Sequence, residues 1–175
     1  MNETYGGIPR RYREGIFSAI SAGFFFLLIG VIFVITPNLF DRTVDFINDF
    51  GLERLPNTAV YFFAPHSPLL HQIVFRAVEQ LSYAIGFFQI VILALRFFAG
   101  SPWNKKAESV SNLVFWIGAG YLIRRLLIES TIRTAMIWTA MTTWFVFWSA
   151  IIMLLGVSLI VRAIILGAVS TMRTT

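Results

Sequence analysis

His66 and His71 are the only two histidines of this 175-residue chain, and four carboxylates precede them at Asp41, Asp45, Asp49 and Glu53. Imidazole and carboxylate together can make a metal centre or an acid–base pair, so these six residues are the first place to look for chemistry. Their spacing weakens the metal reading. Two positions five apart on one helix point about 140° apart, and two histidines fall short of the three or four protein ligands usual for zinc or copper. His66 and His71 stand as weak metal candidates, better suited to a hydrogen-bonded place at a loop-to-helix junction.

The carboxylates recur every fourth residue. In a helix this puts Asp41, Asp45, Asp49 and Glu53 along one stripe, and Phe40, Val44, Ile47 and Phe50 along another. A helix of this kind lies in a membrane interface, starting at Pro37-Asn38 and stopping near Gly51. The acidic stripe is then a solvated face; the sharper alternatives are a cation-concentrating pore mouth and a dock for a basic partner.

Charges at lipid depth form the third set, because an ionised group in hydrocarbon costs about 3 kcal/mol or more unless it is paired or hydrated. Arg76, Glu79, Arg124, Arg125 and Glu129 are expected to meet in one intramembrane network, with Gln89 as a lone amide near the middle of a span. Glu129 follows Arg125 by four residues and Glu79 follows Arg76 by three, both spacings at which helical side chains meet. The network reads as a helix-to-helix clasp, with a gate, proton path or ligand site as the alternative, and Gln89 as a hydrogen bond to another span or subunit.

The elements that carry these residues are membrane spans. Residues 16–36 contain no charge, follow Arg10, Arg11 and Arg13, and cover about 30 Å as a helix, the thickness of the hydrocarbon core. That apolar run exceeds the core of a cleaved signal peptide, so the first span is expected to be retained. A second span covers 77–99, where Arg96 near one end reaches toward the interface. After the turn at 100–106, a third span covers 108–128. A fourth covers 135–168, longer than one bilayer thickness and therefore tilted or protruding. The connection at 124–133 holds neither Gly nor Pro, but one helix from 109 to 169 would extend about 90 Å and must turn back.

The expected fold is thus an all-α integral membrane protein. It has one domain of four transmembrane helices, with an outer amphipathic interfacial segment at 37–67 between the first and second spans. Fifty-seven per cent of the residues are hydrophobic and 13% charged, about half the charged share of a soluble domain. Absence of cysteine excludes disulfides, thiolate metal ligands, iron–sulfur clusters and thiol nucleophiles. Fourteen basic residues against nine acidic ones set orientation and touch anionic headgroups, and do not argue for nucleic acid. The basic amino terminus and the Lys105-Lys106 turn put both termini on the cytoplasmic side of a cell membrane.

No paired helical histidines, phosphate loop, nucleophile elbow or haem ligand is present, and no cofactor is expected. Small residues at helix-packing spacing, Ala19 with Gly23 on the first span, Gly118-Ala119-Gly120 on the third and Ala163 with Gly167 on the fourth, suit close helix contacts and assembly. The function that follows is a non-catalytic accessory or structural subunit of a multi-subunit membrane complex. Its partners would be other integral membrane subunits and lipids, a homo-oligomer being possible. The alternatives are a small homo-oligomeric channel or transporter, and a membrane enzyme acting on a lipid-like substrate through His66, His71 or Glu79.

Overall fold

The computed structural model describes residues 10–55, 58–129 and 137–174, which are mostly helical. Helix α1 runs over Arg10–Ile35 and stops before Pro37, which has no N–H to continue it. Asn38 then takes a left-handed conformation, φ 53°, one that asparagine tolerates, and α2 starts at Leu39 and ends at Asn48.

From Phe50 the chain is not helical. Strands β1 (Phe50–Arg54) and β2 (Tyr61–Pro65) pair antiparallel, with Leu52 opposite Phe63 and Glu53 opposite Phe62. This corrects the all-α expectation for residues 37–67. Tyr61, Phe62 and Phe63 favour a pleated surface, and at Gly51 the His66 ring lies over the strand, 2.7 Å from where a Cβ would stand, so that any larger residue would displace it.

A short 3-10 turn, Pro68–His71, leads into α3, Gln72–Phe98. The end of α3 is a glycine cap. Gly100 is left-handed at φ 64°, and the Ser101 N–H reaches back to the Arg96 carbonyl at 3.0 Å. Helix α4 covers Trp103–Leu122, and the chain continues through a π-helical segment, Ile123–Glu129. Helix α5 covers Ile137–Thr174. Of the expected connection at 124–133, residues 124–129 continue the helix as the π segment, and 130–133 lie outside the described residues.

Among the described residues three helical stretches are long and apolar enough to cross a membrane: Gly15–Ile35, Pro68–Phe98 and Thr142–Thr171. Helix α4 packs between α3 and α5, while α1 rests chiefly on α3, where Phe24 and Phe88 stack with centroids 3.7 Å apart. The bundle contacts are close: Gly86 faces Ile117, Gly118 faces Leu154 and Gly120 faces Tyr83, each too near for a Cβ. Arg96 departs from its expected path toward the interface. It is buried, donating to the Lys105 carbonyl at 2.5 Å and the Ser109 hydroxyl at 2.6 Å, and ties the last turn of α3 to the first turns of α4.

Candidate functional site

Two histidine–carboxylate pairs stand at the end of the bundle covered by α2 and the hairpin, here called the cap. Asp49 follows α2 and its N–H closes the last turn on Asp45 O. One carboxylate oxygen of Asp49 accepts both the Ser67 N–H and His71 Nε2, each at 2.8 Å. An ionised carboxylate only accepts, so His71 carries its proton on Nε2. The His71 ring is buried and lies edge-on to Phe46, with centroids 5.1 Å apart. The second pair joins His66 Nδ1 to Glu53 and is more open, with the His66 side chain 56% exposed.

The environment of Asp49 fixes its charge. Burial pushes its carboxyl pKa up, but the Ser67 N–H, the His71 hydrogen bond and the charges of His71 and His66 outweigh that effect, leaving it below the ordinary 3.8. Asp49 is therefore ionised at neutral pH. It pins three segments together: the end of α2, the chain after β2 and the start of α3.

Aromatic packing completes the cap. Trp144 of α5 is buried against Phe46, Phe50 and Phe75, and its indole N–H donates to Phe63 O of β2 at 3.3 Å. The charge pattern alone does not reveal this residue. Its only signal in the sequence is the grouping of Trp138, Trp144 and Trp148 inside an uncharged run. Gln72 is a second such residue, donating to Leu127 O at 3.2 Å from the first turn of α3.

The carboxylate row does not form one stripe. Asp41 and Asp45 lie on exposed turns of α2, whereas Asp49 caps that helix and Glu53 belongs to β1. Strand formation at Phe50 breaks the helical period and sends the last two acids to separate histidines. Among the described residues no three histidine or acidic side chains gather to hold a metal ion.

The charged network is divided too. Arg124 lies 3.9 Å from Glu79 of α3 and donates from Nε to Glu129 at 3.2 Å, while Arg125 donates to the other Glu129 oxygen at 2.6 Å. Arg76 is exposed and forms no ion pair among the described residues. Gln89 is half-buried ten residues beyond Glu79, about 15 Å along α3, and takes no part. What these groups do chemically is hold elements together: the cap to the bundle through Asp49, and α3 to the π segment through Arg124.

No protein-family model matches the chain, and neither does any curated protein or solved structure.

Proposed function

We propose that this chain is a non-catalytic accessory or structural subunit of a multi-subunit integral membrane complex. In this reading it spans a cell membrane four times, with α4 and its π extension as the third span. Both termini are cytoplasmic, and α2 lies in the outer interface. The amphipathic make-up of α2 supports that place: Leu39, Thr43 and Phe46 turn toward the bundle, Phe40, Val44 and Ile47 are exposed, and Asp41 and Asp45 occupy the remaining face.

The observation that carries the proposal is a contrast among glycines. Gly86, Gly118 and Gly120 lie at close contacts inside the bundle, where neighbouring side chains fill the space. Gly15, Gly23 and Gly30 of α1, and Gly156 and Gly167 of α5, have nothing within 4 Å of a Cβ position. Helical spacing puts Gly23 and Gly30 with Ala19 on one stripe, and Gly156 and Gly167 with Ala163 on another. Glycine inside a helix costs about 1 kcal/mol relative to alanine, and lipid contact alone does not offset that. Close approach of another helix does. Two such stripes, on helices whose apolar surface stays largely outward, suit a chain that is packed among other spans.

The test is to extract the chain from its native membrane in mild detergent and compare it with Gly23→Leu and Gly167→Leu variants. Loss of co-purifying subunits from variants that keep their helical content supports the proposal; a wild-type chain that comes out with no other subunit bound overturns it, and partners that stay bound to both variants overturn the role given to the two stripes. Because the chain has no cysteine, single cysteines placed at Ser67, Asn104 and Thr174 report the topology by labelling from either side. Four spans require Asn104 and Thr174 to label from one side and Ser67 from the other; labelling of Thr174 from the Ser67 side, or of Ser67 and Asn104 from one side, would overturn the four-span arrangement.

A further inference from the structure

We propose that Arg124 and Arg125 seat the phosphate of an anionic phospholipid in the leaflet next to the cap. This rests on the four-span reading above. If the hydrocarbon begins near Ser109, Arg124 lies fifteen residues or about 22 Å farther along, and its stem carries the guanidinium on toward the headgroup boundary.

Three features of the cluster support the assignment. First, the two arginines are adjacent and more than half exposed, at 59% and 53%, although both are paired. Second, their pairing leaves donors over. A guanidinium carries five N–H groups; Glu129 takes Nε of Arg124 and one terminal nitrogen of Arg125, Tyr121 also accepts from Arg125, and Glu79 at 3.9 Å is beyond hydrogen-bond distance, which leaves N–H groups on both arginines. Third, the charge presented outward is positive. Glu79 is only 14% exposed and Glu129 32%, so the acids stand behind the guanidiniums.

Glu129 holds the two forks side by side, one carboxylate oxygen to each, a spacing in which a phosphate can bridge their outer nitrogens. Arginine matches phosphate oxygens in this bidentate way better than lysine does. Tyr121, one turn before Arg125 and 55% exposed, accepts a hydrogen bond from Arg125 and leaves its ring on the bilayer side of the pair, where the glycerol and first methylenes of such a lipid would run.

The full-length chain is reconstituted in phosphatidylcholine vesicles containing phosphatidylglycerol, re-extracted, and its bound lipids are counted by native mass spectrometry. The wild type is expected to retain phosphatidylglycerol, Arg124→Gln/Arg125→Gln to lose it at least tenfold, and Glu129→Gln to retain more, because its carboxylate no longer competes. Equal retention by wild type and the double variant, or less retention by Glu129→Gln, overturns the proposal. Circular dichroism confirms that each variant folds; if the double variant fails to fold, Glu129→Gln still decides. Failure of the four-span reading would appear separately, in the cysteine labelling.

Discussion

Arg124 and Glu129 stand five residues apart and still pair, Nε to Oε1 at 3.2 Å, because residues 123–129 wind as a π-helix. In an α-helix the two positions point about 140° apart; the wider π turn, with its i to i+5 repeat, stacks them on one side. Arg125, at the ordinary i to i+4 distance, reaches the same carboxylate. Glu129→Ala removes the acceptor that both arginines share. The expected outcome is faster amide exchange confined to residues 123–129, with the rest of the bundle unchanged, as read by hydrogen–deuterium exchange.

Asp49 is the staple of the cap. Asp49→Ala leaves the Ser67 N–H and the buried His71 ring without their acceptor, and the expected loss of stability is about 2–4 kcal/mol, measured by denaturant unfolding in detergent.

The same carboxylate sets an acid dependence. Its folded pKa is depressed, so its contribution is fully present above the unfolded value near 3.8 and is lost as pH falls through the lower folded value. The wild-type melting temperature should therefore drop in that acid range more steeply than that of Asp49→Asn, in which no carboxylate titrates at this position. Parallel curves for the two proteins would contradict the assignment.

Trp144 joins α5 to the hairpin. Trp144→Ala should cost about 3–5 kcal/mol, as for other buried aromatics, whereas Trp144→Phe should cost about 1 kcal/mol for the lost bond to Phe63 O. Thermal unfolding of the two variants separates ring packing from the hydrogen bond.

Inside the bundle, Gly86→Val must push against Ile117, whose side chain comes to 2.6 Å and whose backbone nitrogen comes to 3.3 Å of the new Cβ. An overpacking loss of about 1–3 kcal/mol is expected. A Cβ at Gly23 meets nothing within 4 Å in the chain and Leu is the better helix former, so the melting temperature of Gly23→Leu should not fall below the wild type's.

The long apolar helices are legible in the sequence because an apolar run of bilayer length suits a membrane span and little else; α1 and α5 each contain an uncharged one, and α3 contains one bounded by Glu79 and Arg96. The hairpin is hidden. Asp41, Asp45, Asp49 and Glu53 keep a helical period through Gly51, and Tyr61 to Pro65 is apolar without the alternation that marks a half-buried strand. The two histidines stand out as polar groups of this region, but their partners lie 13 and 22 residues away, across a hairpin that local spacing does not encode. For Arg76 and Glu79, a one-turn spacing permits a contact without requiring it. Arg96 has a stem long enough to reach the interface, yet the α3–α4 turn offers it the Lys105 carbonyl and the Ser109 hydroxyl, acceptors that only the folded turn brings near.

The central claim is that the open small-residue stripes of α1 and α5 meet other subunits, and native mass spectrometry after mild extraction from the source membrane tests it most directly. The account predicts different membrane subunits bound in a fixed ratio, and their loss on Gly23→Leu or Gly167→Leu. A clean monomer, or an assembly of this chain alone, would contradict it.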